Sequence, residues 1–179
     1  MAKLILVGGG ARSGKSRFAL AQALGLGPRR VFLATAEALD GEMTERIDRH
    51  RSERGTAFET IEEPLALAET LDGVGAVDVV LVDCLTLWVS NLLVRGDQPR
   101  QMRAAFDSLE SSLARRRAHI ILVTNEVGMG LVPETALGRI FRDQIGDLHQ
   151  RIAARADEIY AAVMGVVVRL HPGPIEITR

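Results

Sequence analysis

The chain predicts an α/β fold: a mostly parallel sheet with helices on both faces and an antiparallel edge, organised around a phosphate-binding loop. Three observations carry that expectation. Apolar runs of strand length alternate with longer segments of helical period, the pattern of a parallel sheet covered by helices. The first run, Lys3 to Val7, passes at once into Gly9-Gly-Ala-Arg-Ser-Gly-Lys-Ser16 and then into a helix-forming segment. The last two runs, 158–163 and 166–170, are separated by Met164-Gly165, as in a hairpin.

The elements follow in order. A strand over 3–7 leads through the glycine loop into a helix over 15–25, which Gly25, Gly27 and Pro28 stop. A strand over 31–34 precedes a helix over 41–54. A weaker strand at 57–62 and a helix at 64–71 come next. The strand over 79–83 feeds a helix over 85–95, and Gly96-Asp-Gln-Pro99 divides that helix from the next, over 100–117. Arg115-Arg-Arg117 closes it, where cations complement the helix dipole. A strand over 119–124, a helix over 135–155 and the terminal hairpin complete the pattern, and Gly173-Pro174 bends the tail. With no repeat and no long linker, residues 1–179 read as one domain.

Composition bounds the function. Of 179 residues, 47% are hydrophobic and 25% charged, the profile of a water-soluble globular chain. Lys plus Arg (22) nearly balances Asp plus Glu (23), and the formal charge of −1 argues against a general nucleic-acid or membrane-surface binder. The single cysteine, Cys84, allows no internal disulfide and suits a reducing compartment. Neither a secretory leader nor an apolar run of membrane-spanning length is expected. A cytoplasmic enzyme is the default.

The loop itself is G-x-x-x-x-G-K-S between a strand and a helix, the setting in which consecutive backbone N–H groups curl around a phosphate. The start of the following helix adds unpaired N–H groups and a positive dipole end. Lys15 is placed for the β- and γ-phosphates, and the Ser16 hydroxyl for Mg²⁺. A carboxylate at the C-terminal end of a neighbouring strand completes such a site, and Asp83 after Val79-Val-Leu-Val supplies it. Asp83 is also an acceptable N-cap for the helix that follows. Cys84 reads as a small buried packing residue.

Two further segments stand out. Arg46, His50 and Arg54 fall at i, i+4 and i+8 on one helical stripe, with Arg49 and Arg51 beside the histidine. Clustered guanidinium groups suit a triphosphate and tend to keep an imidazole neutral, which leaves a nucleophile towards phosphorus. Periodicity alone favours a solvated helix laced with Glu–Arg pairs such as Glu42–Arg46 and Glu45–Arg49. In Leu122-Val-Thr-Asn-Glu-Val-Gly-Met-Gly-Leu-Val-Pro-Glu134, a strand delivers Asn125 and Glu126 to the same sheet edge before two glycines. An ordinary strand-to-helix connection is the alternative. His119, His149 and His171 read as structural or solvated.

Together the loop 9–16, the Glu-Met-x-x-Arg-Ile-x-x-His segment 42–50 and the segment 124–134 resemble the bifunctional adenosylcobinamide kinase/adenosylcobinamide-phosphate guanylyltransferase family. Phe141-Arg-Asp143 and the helix to Ala156-Asp157 fit the same pattern, so the likeness spans nearly the whole chain. Gly8 stands where threonine is expected, and the tail from His171 to Arg179 finds no match. The resemblance implies a RecA-like phosphate-loop sheet, a homotrimer and two reactions of cobalamin assembly. The first phosphorylates adenosylcobinamide. The second transfers GMP from GTP to adenosylcobinamide phosphate through a GMP-histidine intermediate.

That intermediate falls on His50. Guanine nucleotide contacts would fall on Gly9, Gly10, Ala11, Arg12, Ser13, Gly14, Lys15 and Ser16, on Ala34, Thr35 and Ala36, on Arg51, Ser52, Glu53 and Arg54, and on Glu62 and Asp83. Mg²⁺ would sit on Ser16 and Asp83. GTP serves the transfer, and ATP is a second donor for the kinase step. The rivals are a plain small-molecule kinase and a nucleotide-binding regulatory module.

Overall fold

β1 (Leu4–Gly9) is buried on both of its sides, which places it inside a sheet covered on two faces. Leu4 and Leu6 belong to one apolar cluster, whereas the alternating Ile5 and Val7 belong to another. The computed structural model describes residues 1–37, 41, 44–45, 51–52 and 55–178. The remaining elements are α1 (Lys15–Gly25), β2 (Arg30–Ala34), β3 (Glu59–Glu62), α2 (Leu67–Gly73), β4 (Val79–Asp83) and α3 (Leu85–Arg95). After them come α4 (Pro99–Arg115), β5 (His119–Asn125), α5 (Ala136–Ala153), β6 (Glu158–Val163), β7 (Val166–His171) and β8 (Glu176–Thr178). Residues 41, 44–45 and 51–52 are helical, as expected for that segment. Arg46, Arg49, His50, Glu53 and Arg54 lie outside the described residues.

The strands form one sheet in the order β3-β2-β4-β5-β1-β6-β7-β8. The six strands from β3 to β6 pair in parallel, and β7 and β8 extend the edge antiparallel. The hairpin at Met164-Gly165 is therefore present, and both of its turn residues have positive φ. Helices cover both faces. Ala19 and Ala23 of α1 pack with Ile5, Val7, Phe32, Leu81 and Val123. Side chains from α2, α3, α4 and α5 close the opposite face over Leu4, Leu6, Val80, Val82 and Leu122. Trp88 of α3 lies against Phe106 of α4, with ring centroids 5.8 Å apart, and its Nε1–H donates to Leu65 O at 2.8 Å. A buried indole needs such a partner.

Three boundaries differ from expectation, each for a local reason. α2 begins at Leu67 rather than near 64 because the Glu63 carboxylate accepts from the N–H groups of Leu65 and Ala66, each at 2.8 Å. That turn satisfies the backbone without a helix. α4 begins at Pro99, and Gln98 and Gln101 form a reciprocal capping box before it. β8 is an unexpected third antiparallel strand, paired with β7 through Arg169 and Glu176. Its short run follows two prolines, and only the open edge of β7 makes it a strand.

Candidate nucleotide-binding site

Register brings the expected residues into one row at the C-terminal edge of the sheet. Glu62 pairs with Ala34, Ala34 with Asp83, and Asp83 with Val123. On the other side of β5, Asn125 pairs with Gly9, the first residue of the loop. The Glu126 N–H donates to Gly9 O at 3.1 Å, tying the end of β5 to the start of the loop. Ligands of parallel α/β sheets bind at this edge.

The loop has the geometry its sequence predicts. Gly14 takes φ 95° and Arg12 φ 55°, so the chain curls before entering α1. Lys15 is 6% exposed, and its ammonium donates to Gly10 O at 3.1 Å. A Cβ on Gly9 would lie 2.5 Å from Ala162 O and 2.6 Å from Ser13 Oγ, so glycine is required by space there. A Cβ on Gly10 would meet nothing within 4 Å, which marks the open side of the cradle. Ser13 Oγ is buried without a hydrogen-bond partner among the described residues. A buried hydroxyl left unpaired is costly, and a phosphate oxygen in the cradle would satisfy it. Ser16 stands in the first turn of α1.

Ser16 and Asp83 offer hard oxygen donors, the chemistry Mg²⁺ takes together with phosphate and water oxygens. Among the described residues no group of three or more His, Cys, Asp or Glu side chains could hold a metal by itself. A metal shared with a triphosphate fits this donor set. The capping alternative for Asp83 is not realised: the N-cap position of α3 is Cys84, and no side chain caps it.

The chain beyond Asp83 is held by Thr35. The Thr35 hydroxyl donates to Cys84 O and accepts from Cys84 N–H, both at 2.8 Å, and the Thr35 N–H donates to Asp83 O at 3.2 Å. The Asp83–Cys84 peptide is cis. Thr35 is fully buried, and Asn91 of α3 donates to its carbonyl at 2.8 Å. Cys84 is buried as expected, and burial together with the Asp83 charge pushes its thiol up to about 11. It is a packing residue, not a thiolate.

Arg51 and Glu62 meet in an exposed ion pair at 2.5 Å, which joins the 41–54 segment to the end of β3. Ser52 is exposed beside it. Asn125 and Glu126 reach the sheet edge as the sequence indicates, and the Glu126 carboxylate folds the glycine loop by accepting from Gly128 and Met129 N–H. Arg142 of α5 clasps the same loop through the carbonyls of Gly128 and Gly130. A polar chain escaped sequence reasoning. The Asn125 N–H donates to Thr86 Oγ1 at 2.8 Å, Thr86 Oγ1 lies 3.5 Å from Thr124 Oγ1, and Thr124 Oγ1 lies 2.7 Å from His149 Nε2. Burial holds the His149 imidazole below its ordinary pKa, against the opposing pull of the Glu126 charge. His149 is therefore a bonded, half-buried base rather than a solvated one.

The family model for cobinamide kinase / cobinamide phosphate guanyltransferase matches residues 5–170. The chain is 44% identical over 171 residues to the bifunctional adenosylcobalamin biosynthesis protein CobP of Pseudomonas aeruginosa, covering 95% of this chain and 98% of that one. It is 40% identical over 180 residues to the bifunctional adenosylcobalamin biosynthesis protein CobU of Escherichia coli, covering 93% and 99%. Among solved structures it is similar to the RadB recombinase, with a TM-score of 0.54 at 15% identity over 99% of this chain and 86% of that one. That likeness supports the fold alone, a RecA-like phosphate-loop sheet. No helix among the described residues is long and apolar enough to cross a membrane.

Proposed function

The chain belongs to the cobinamide kinase / cobinamide phosphate guanyltransferase family and is a bifunctional enzyme of cobalamin biosynthesis, and from that premise we propose that both of its reactions use the one loop described above. The observation that carries this is the pairing of an open cradle at Gly10 with a buried Lys15, at the C-terminal edge of the sheet where β4 ends in Asp83. In the kinase reaction the loop N–H groups and Lys15 hold the triphosphate while its γ-phosphoryl group passes to adenosylcobinamide. GTP is the donor we assign, with ATP as an alternative for this step. A magnesium ion on Ser16 and Asp83 would neutralise phosphate charge as it develops.

In the second reaction His50 is the nucleophile. Its imidazole nitrogen forms a bond to the α-phosphorus of GTP, and the α–β bridging bond breaks with its electron pair on pyrophosphate. An oxygen of adenosylcobinamide phosphate then attacks the same phosphorus, and the histidine leaves, giving adenosylcobinamide-GDP. A covalent intermediate divides the transfer into two easier displacements. Arg51, Ser52, Glu53, Arg54 and Glu62, with Ala34, Thr35 and Ala36, form the guanosine side of the site. The Arg51–Glu62 pair supports that grouping by bringing two of these positions together.

We further infer a cytoplasmic homotrimer. The exposed apolar side chains of Met129, Leu131, Val132, Leu137 and Ile140 support a covered surface beside the site.

Incubation with α-labelled GTP tests the mechanism. The expected product is an acid-labile, base-stable protein adduct that is absent in His50→Ala, while that variant still phosphorylates adenosylcobinamide. Unlabelled wild-type protein that nevertheless binds GTP would sink the covalent route.

A further inference from the structure

The chain Asn125–Thr86–Thr124–His149 has a direction. Thr86 Oγ1 accepts from the Asn125 N–H at 2.8 Å and from Asn125 Nδ2 at 3.3 Å. An oxygen that accepts twice sends its own proton elsewhere, and Thr124 Oγ1 at 3.5 Å is the neighbour that receives it. Thr124 then donates onward to His149 Nε2 at 2.7 Å. The imidazole must be neutral, with its proton on Nδ1, for that nitrogen to accept. Burial favours that neutral form. Each link is consistent with the next, and the Asn125 amide nitrogen faces Thr86 and Cys84. What remains is Asn125 Oδ1, a buried acceptor with no partner among the described residues.

This oxygen belongs to the residue paired with Gly9 of the loop, and its amide nitrogen lies 3.9 Å from the sulfur of Cys84, the neighbour of Asp83. Resting on the kinase reading of the site, we propose that Asn125 Oδ1 accepts the hydrogen bond of the corrinoid's acceptor hydroxyl, and that Thr86, Thr124 and His149 position the amide for it. The hydroxyl oxygen forms a bond to the γ-phosphorus. The bond from that phosphorus to the β,γ-bridging oxygen breaks with its electron pair on the nucleoside diphosphate, and the hydroxyl proton passes to water. Asn125 stays neutral and aims the attacking oxygen. In guanylyl transfer the incoming group is a phosphate that is mostly without an O–H at neutral pH, so an acceptor oxygen gives it no comparable help.

The two reactions separate the roles. In Asn125→Ala, kcat/KM for phosphorylation of adenosylcobinamide should fall about 10- to 100-fold, the loss of one hydrogen bond to a reacting group. Guanylyl transfer to preformed adenosylcobinamide phosphate should fall by a smaller factor than phosphorylation does. His149→Leu should lower kinase kcat with the Kd for GTP unchanged, and His149→Gln, which keeps an acceptor for Thr124, should restore most of it. An equal loss of both reactions in Asn125→Ala, a loss in neither, or a His149→Gln variant as impaired as His149→Leu would overturn the proposal. A wild-type chain that phosphorylates no corrinoid would overturn the kinase reading itself, and this proposal with it.

Discussion

Substituting the first glycine of the loop tests how tightly the site is built. In Gly9→Ala the new Cβ would sit 2.5 Å from Ala162 O, 2.6 Å from Ser13 Oγ and 3.1 Å from the Ala162 Cβ. An ordinary carbon–oxygen contact is about 3.3 Å, so β6 or the loop must retreat by roughly 0.8 Å. The obstruction is main chain on one side and a buried side chain on the other, and neither swings away cheaply. Overpacking of this kind costs about 1–3 kcal/mol. For a chain of this size, ~2 kcal/mol lowers Tm by roughly 4–8 °C. The retreat also moves the N–H groups that face the phosphates, so GTP affinity should fall about 10- to 100-fold. Gly10→Ala is the matched control, because its Cβ meets nothing within 4 Å. Its Tm should stay within ~1–2 °C of wild type, while GTP binding weakens because the methyl group enters the cradle. Differential scanning fluorimetry without nucleotide, and calorimetric titration with GTP, measure both quantities. A Gly9→Ala variant with wild-type Tm and wild-type GTP affinity would refute the packing described here. So would a Gly10→Ala variant that melts as early as Gly9→Ala.

Two further outcomes follow from side chains away from the loop. Asp157 accepts from the Leu4 N–H at 2.7 Å and from Arg116 at 2.8 Å, and these hold its carboxyl below the usual range. Because the folded pKa is lowered, this stabilisation is present above the unfolded value of about 4 and is lost as pH falls through the folded one. Asp157→Asn should therefore melt earlier than wild type at pH 7, with the gap narrowing as pH is lowered towards 3; a constant gap would contradict the assignment. Cys84 should resist iodoacetamide at pH 8 and react only in denaturant, because its thiol is buried and pushed up to about 11. Native-state labelling as fast as a free thiol would refute that burial.

Much of this architecture was legible in the sequence. Lys15–Gly25, Val79–Asp83, Leu85–Arg95 and Glu158–Val163 fall where apolar runs meet glycine, proline or a turn, since local chemistry alone sets those limits. The loop and Asp83 were legible for the same reason. β8 was not, because three residues acquire strand geometry only from the edge of β7. Nor was the link from His149 to Thr124 and Thr86, residues that lie 25 and 38 positions apart in turn. No spacing rule connects them; the packing of α3 and α5 beside the end of β5 does. The weak expectation for 57–62 narrowed to Glu59–Glu62, because parallel pairing with β2 runs only from Val31–Glu59 to Ala34–Glu62.

The bond from Lys15 to Gly10 O ties the middle of the loop to the first residue of α1. A cation held this far from water needs partners inside the protein, and the loop carbonyl is one of them. The lysine is thus a strut of the loop as well as a charge for phosphate, and its removal would loosen the curl as well as lower the charge.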